Sequence, residues 1–340
     1  MTGRTQVVEI SYLNEKDSFQ GKVQSTPKKI ETGVPQGSIL GPLLFLLYIN
    51  DLPSHIEEAT LVLYADDTNI LVTGSDEEEL NNKISVVTHQ LDEWLKYNEL
   101  VVNSKKTVAI SFQYRKAMSL RPKIYIQNSM ITYKSEVKFL GIIIMENLYW
   151  QSHIKTLSSA LSKTYYMIRI LKQSVSTHML WNVYYAQFQS KIRYGILLWG
   201  RSEACVKILR IQKKVIRMIT GLKKGDSCKK KFRELGILTV TSLYVLEVLC
   251  YMRKHARHIP ENSAIHDHNT RQKTDLHIHT CRTASLQKSV INTGIRLFNH
   301  LPIELKHILE PKQFKRKLKL HLLNHPLYSL KEFFEVKINK

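Results

Sequence analysis

Apolar and polar positions along this chain follow two rhythms, and the change of rhythm divides it. Two apolar runs, Thr60-Leu61-Val62-Leu63 and Asn69-Ile70-Leu71-Val72, flank a short polar break and predict a β-hairpin. Leu100-Val101-Val102-Asn103 and Thr107-Val108-Ala109-Ile110 read as further strands. Weak alternation over residues 5–31, carried by Val7, Val8, Ile10, Val23 and Ile30, makes two more strands plausible. Between hairpin and strands, Leu80, Ile84, Val87, Leu91 and Trp94 recur at three-to-four spacing, which predicts a helix with one packed face. Ser75 followed by Glu78 reads as a capping box at its start. The acidic run Asp76 to Glu79 suits the positive end of that helix's dipole and is read so, not as a metal site.

From Trp150 the helical rhythm takes over. Ile154, Leu157, Leu161, Tyr165, Ile168 and Leu171 share one face. A second helix runs from about Ser176 through Tyr184, Phe188 and Ile192. A third runs from about Glu203 to Ile219, with Gly221 as its stop. It carries two stripes: Ile208, Ile211, Val215 and Ile219 in one, Lys207, Arg210, Lys214 and Arg217 in the other. Leu243, Leu246, Leu249, Tyr251 and Met252 mark further core, and Phe314 to Leu323 a closing basic helix. The most apolar stretch, Ile39 to Ile49, is too short to span a bilayer and is broken by Gly41-Pro42; it reads as a buried helix.

Charge sharpens the division. Hydrophobic residues make up 43% of the 340, enough for a folded core and against global disorder. The net charge is +21 and the pI about 9.7, a balance suited to nucleic acid. Residues 1–110 hold 9 basic against 16 acidic side chains, net −7, whereas residues 111–340 hold 41 against 13, net +28. The basic part is where a phosphate backbone would be gripped. Cys205, Cys228, Cys250 and Cys281 form no C-x-x-C pair, and the N-terminus lacks the apolar core of a secretory signal. The expectation is an intracellular chain with reduced thiols and no membrane partner, its compartment (nucleus or cytoplasm) open.

The polar break holds the chemistry. Tyr64-Ala65-Asp66-Asp67 puts two adjacent carboxylates at a hairpin tip, where like charges repel. Mg²⁺, with Mn²⁺ as an alternative, relieves that repulsion and leaves coordination sites for phosphate and water. The bland reading is an Asx-type turn on a surface hairpin.

Tyr64 to Asp67 between apolar strands resembles the catalytic hairpin of reverse transcriptases. Gly33-Val34-Pro35-Gln36-Gly37-Ser38-Ile39-Leu40-Gly41-Pro42 is similar to that family's nucleotide- and template-contacting loop, and the string through Asn50-Asp51-Leu52-Pro53 resembles the non-LTR retrotransposon branch, of jockey-like type. The motifs stand in the family's order, about thirty residues apart. Ser104-Lys105-Lys106-Thr107 and Val137 to Ile143, with Gly141, resemble its next two motifs, the second being the hairpin that grips the primer's 3′ end.

The resemblance implies RNA-directed DNA polymerisation, with an RNA template, a DNA primer and deoxynucleoside triphosphates as partners. It implies metal at Asp66 and Asp67, with Tyr64 and Ala65 shaping the turn. Gln36 and Gly37 would face the templating pair. Lys106, or its neighbour Lys105, would offset or protonate the leaving pyrophosphate; a solvated lysine is the alternative. Gly141 would lie near the primer end, and Lys207, Arg210, Lys214 and Arg217 would hold phosphates.

The implied fold is α+β: a partial right-hand polymerase palm over residues 1–145, thumb-like helices over 146–200, and a basic, mostly helical C-terminal region over 201–340. A further catalytic aspartate, and the residue that would exclude ribonucleotides, are expected in a segment preceding Met1. Asp17 sits in a polar stretch that reads as a turn and is not promoted to that role. Two other readings stand beside this one: a catalytically inactive nucleic-acid-binding remnant of a mobile element, and an unrelated helical adaptor. His266, His268, His277, His279 and Cys281 suggest zinc, but their spacing fits no standard finger, and a polar loop is the preferred reading.

Overall fold

The computed structural model describes residues 37–112, 121–255, 259–265, 273–278, 280–281 and 283–335. The expected strands within 5–31, Gln36, His266, His268 and His279 lie outside them. The chain is a mixed α/β protein of small strand pairs and many helices, in two compact units, residues 1–137 and 138–340.

In the first unit, α1 (Leu40–Ile49) and the short α2 (Leu52–His55) precede β1 (Thr60–Tyr64) and β2 (Asp67–Leu71). These strands pair antiparallel, Thr60 opposite Leu71 and Tyr64 opposite Asp67. Period-two alternation turns Leu61 and Leu63 toward the core and leaves Val62 and Tyr64 outside. Helix α3 (Glu77–Tyr97) follows and buries Val87, Leu91, Trp94 and Leu95. Its cap differs from expectation by one residue. Asp76, in extended backbone, accepts from the Glu79 N–H at 2.8 Å, while Glu79 reaches back to the Ser75 N–H at 2.8 Å. Hydrogen bonds from Lys83 and Ser75 hold the Glu79 carboxyl down at about 2.

Short pairs complete the unit. β3 (Val108–Ala109) runs parallel to β6 (Thr132–Tyr133), and β4 (Tyr125–Ile126) pairs with β5 (Ser129–Met130). Residues 100–103 are not a strand, contrary to the periodicity. The Gln127 side chain takes the place of a neighbouring strand there. Its Nε2 donates to the Leu100 carbonyl at 2.7 Å and its Oε1 accepts from the Val102 N–H at 2.9 Å. Helix α1 also departs from the reading. Leu40, Leu43, Leu44, Leu46 and Leu47 are exposed, Leu47 at 67%, and only Ile49 is buried. Its sequence is apolar on every face, so periodicity could not show which side would be covered.

A hairpin of β7 (Glu136–Phe139), whose first two residues close the first unit, and β8 (Ile142–Met145) leads into the helices of the second. Helix α4 (Gln151–Leu171) buries Ile154, Leu157, Leu161 and Ile168, the predicted face. Helix α5 (Thr177–Val183), capped by the Ser176 hydroxyl, passes through a π-helical stretch (Tyr184–Gln189) into α6 (Ser190–Arg193). The wider π turn stacks Tyr184 on Phe188, both fully buried, with ring centroids 5.3 Å apart. Then come α7 (Ile196–Trp199), α8 (Cys205–Thr220), α9 (Lys229–Glu234), α10 (Val240–His255), α11 (Ala284–Gln287), α12 (Val290–Asn299), α13 (Ile303–Lys306), α14 (Pro311–Asn324) and α15 (Leu330–Glu335). Gly221 ends α8 at φ +73, the left-handed conformation expected of it. Residues 146–200 and 201–340, set apart by the sequence reading, share one core here: Ile154, Phe188, Trp199, Ile208, Tyr244, Leu249 and Phe314 belong to a single buried cluster.

Candidate active site

Two residues, Ala65 and Asp66, connect β1 to β2. In two-residue hairpins the turn must match the strand twist, which calls for positive φ at the first central position in a II′ turn. Ala65 takes that conformation at φ 50 although it is not glycine. A Cβ there costs about 1–2 kcal/mol. The turn thereby throws Asp66 and Asp67 onto the outside of the hairpin. Both are exposed, and neither carboxylate hydrogen-bonds or ion-pairs with any described residue. Their oxygens are free for a cation, so the pair fits two of the ligands a hard divalent ion takes. No group of three or more metal-ligating side chains forms among the described residues. Tyr64 stands beside the pair, 62% exposed.

Gly37 sits at φ +87 with open space where a Cβ would be. Lys105 and Lys106 are exposed in a turn closed by the Asn103 carbonyl, which accepts from the N–H groups of Lys106 and Thr107 at 3.0 Å. No described hydrogen bond or ion pair joins Lys106 to Asp66 or Asp67. A cleft of about 580 Å³ opens elsewhere on this unit, lined by Glu57, Glu58, Asp76, Glu79 and Lys83, and does not include the hairpin tip. The Asp76 to Glu79 run is spent on capping, as its position before the helix implied.

In the second unit, Leu140 (φ 44) and Gly141 (φ 81) form the β7–β8 turn, both left-handed as a I′ turn requires. Sequence reasoning singled out Gly141 but missed what braces it. The Tyr194 hydroxyl donates to the Leu140 carbonyl, and the Tyr194 ring lies 3.4 Å from where a Gly141 Cβ would stand. Trp199, fully buried, holds the Tyr194 carbonyl through its indole N–H at 3.0 Å. The only sequence signal was Tyr194-Gly195, where Gly195 takes φ +62 to start α7.

His153 anchors the far strand of the same hairpin: its Nδ1 accepts from the Ile143 N–H at 3.4 Å. Burial pushes its pKa below the ordinary value. Below about pH 6.5 the unfolded chain takes up a proton that the folded imidazole resists, so stability falls as pH drops through that range. The melting temperature, followed from pH 8 to 5, is expected to decline, and His153→Asn, which keeps an acceptor for Ile143, to flatten the decline. Half-buried His321 shifts the same way and leaves a residual slope. An identical slope in wild type and variant would discard this account.

On α8, Lys207, Arg210 and Lys214 are exposed. Arg217 is not part of a free stripe. Its Nε and Nη2 donate to the Asp226 carbonyl at 3.2 and 2.8 Å, closing the loop after α8. In the zinc cluster of the sequence reading, His277 Nδ1 lies 3.2 Å from Asn262 Oδ1, and Cys281 Sγ accepts from Asn292 at 3.0 Å. No helix among the described residues is long and apolar enough to cross a membrane.

Residues 3–144 match the reverse transcriptase (RNA-dependent DNA polymerase) family profile. The probable RNA-directed DNA polymerase from transposon X-element of Drosophila melanogaster is 28% identical over 225 residues, 64% of this chain and 25% of that protein. The RNA-directed DNA polymerase from mobile element jockey of the same fly is 26% identical, over 62% of this chain and 24% of its own length. The Pol polyprotein from type-1 retrotransposable element R1 of Bradysia coprophila is 28% identical over 61% and 22%. The chain thus spans about a quarter of the length of these relatives. No solved structure matches it. The matched stretch contains the paired carboxylates, their hairpin and the β7–β8 turn, and the related proteins are polymerases of mobile elements; over residues 3–144 this chain is similar to the reverse transcriptase family, with relatives among non-LTR retrotransposons.

Proposed function

We propose that this chain carries part of the machinery of RNA-directed DNA polymerisation in a non-LTR retrotransposon, copying an RNA template onto a DNA primer from deoxynucleoside triphosphates. The observation that carries the proposal is the hairpin tip: two adjacent, exposed, unbonded carboxylates held by a strained turn within the matched stretch. Mg²⁺, or Mn²⁺, bound there would stabilise the attacking and leaving oxygens of an in-line phosphoryl transfer.

The chain's own residues divide the remaining work. Asp66 is the direct ligand, and Asp67 balances charge or supports a second ion. Ala65 keeps the approach to the tip low. Gln36 and Gly37 face the templating pair, and Lys106 meets the charge developing on pyrophosphate. Gly141, in a turn braced by Tyr194, lets a primer end come close to backbone. Lys207, Arg210 and Lys214 take phosphates without reading bases. In this proposal residues 1–145 act as part of a palm, 146–200 as a thumb and 201–340 as a basic C-terminal region.

Two-metal chemistry also needs a carboxylate from another strand. The full chain is expected to bind metal at the tip. Mn²⁺ titrated into the full chain should broaden the NMR signals of residues 64–67, and Asp66→Asn should abolish the broadening. No selective broadening there would refute the metal site. A non-catalytic nucleic-acid-binding remnant is the second reading; it shares every binding surface, and a tip that takes no metal would favour it.

A further inference from the structure

Helix α14 carries more positive charge than its surroundings neutralise. Lys312, Lys315, Arg316 and Lys319 stand at i, i+3, i+4 and i+7. At 3.6 residues per turn these four fall on one face, within an arc of roughly 100°. All four are exposed, and none forms an ion pair with a described residue. Neighbouring elements behave otherwise: Lys229 pairs with Glu332 at 2.8 Å, Lys231 with Glu234 at 2.8 Å and Lys306 with Asp275 at 2.9 Å. Two acids on or beside α14, Glu310 at its start and Glu247 on the α10 helix that packs against it, are already engaged. Glu310 accepts from the N–H groups of Lys312 and Gln313 as the helix cap, and Glu247 bonds Arg193 at 2.7 Å.

This arrangement works against the helix. Like charges three and four residues apart repel, and there are four such pairs here: 312–315, 312–316, 315–319 and 316–319. Cations in the first turn also face the positive end of the helix dipole. The helix stands because Phe314, Leu318 and Leu322 are sunk in the core of the second unit. A charge row that the fold tolerates but does not compensate calls for an anion from outside.

We propose that the α14 ridge is a second polyanion-binding surface that takes nucleic acid through its phosphates, without base preference. The site is distinct from the carboxylate hairpin and from α8, and it lies outside the matched stretch of residues 3–144. The ridge is about 10 Å long at 1.5 Å per residue, so it spans roughly three nucleotides of a strand. A lipid surface fits less well. A helix that lies on a membrane needs its apolar face free, and α14 has buried its own.

The test is binding of the full chain to a fluorescently labelled 20-nucleotide single strand of mixed sequence, across a salt series in EDTA. Because EDTA removes divalent metal, the result does not depend on polymerisation or on the hairpin. K312Q/K315Q/R316Q/K319Q should weaken binding at least about tenfold at 0.1 M salt and lower the slope of log K against log[salt] by about 2–3 units, given ~0.7 per phosphate contact. Its melting temperature should rise as the repulsion is removed. K315Q/K319Q should give about half the change in slope. The control removes the same charge from four scattered exposed lysines, Lys134, Lys155, Lys230 and Lys331, and should cost clearly less. Equal losses in ridge and control variants, or an unchanged slope in the ridge variant, would overturn the site. So would ridge-dependent binding to phosphatidylserine vesicles without ridge-dependent binding to the oligonucleotide.

Discussion

Replacing Asp66 by alanine is expected to cut primer extension roughly 10³-fold, in whatever length of the element's protein extension is measured. The side chain stands at the tip of the β1–β2 hairpin with no described partner, so its removal takes away no packing. On the proposed function, what is lost is a ligand and a negative charge at the place where a divalent ion would sit. Interactions of this kind, made with developing charge, supply several kcal/mol. About 4 kcal/mol corresponds to the thousandfold figure. Asp66→Asn keeps the shape of the turn and should fall nearly as far, because a neutral amide cannot replace the charge. The circular dichroism spectrum and melting temperature of both variants should match wild type. Extension within about tenfold of wild type would remove Asp66 from the chemistry.

Trp199→Ala is expected to destabilise the second unit by about 3–5 kcal/mol, the usual range for truncating a fully buried aromatic residue. For a unit of this size that is a fall of roughly 6–20 °C in melting temperature. The loss goes beyond volume. The Trp199 indole N–H holds the Tyr194 carbonyl, and Tyr194 in turn braces the Leu140–Gly141 turn. Trp199→Phe separates the two effects: most of the volume stays and the hydrogen bond goes, so the cost should be nearer 1 kcal/mol. In a polypeptide that extends primers, both variants should raise the concentration of primer–template needed for half-maximal rate. A fall of less than about 3 °C for Trp199→Ala would contradict the placement of this residue at the centre of the unit.

What could be read in advance, and what could not, follows from how local each signal is. The β1–β2 hairpin was legible because its alternation and its polar break lie within a dozen residues. Helices α3, α4 and α8 were legible because their buried stripes repeat over three or more turns. The capping box slipped by one residue because Ser75 and Asp76 are both good caps, and only backbone geometry chooses between them. Residues 100–103 read as a strand because their composition suits one, but their partner is the side chain of Gln127, about 25 residues on. Helix α1 was apolar on all sides, so its sequence carried no period from which exposure could be judged. At the candidate sites, Asp66 and Asp67 were visible as a motif. The ties of Arg217 to Asp226 and of Tyr194 to Leu140 were not, since each joins a side chain to a carbonyl that any residue could offer.

Among the described residues, the two units differ in how many apolar side chains they bury. Nine buried apolar side chains form the described core of the first, against thirty-eight in the second. Since burial supplies the main driving force for folding, the smaller body should give way first on warming or in mild urea. The acidic tip belongs to the fragile body and the α14 lysines to the robust one. If the tip takes metal and the ridge takes polynucleotide as proposed, a heat-stressed population would pass through a state that keeps the second capacity after losing the first.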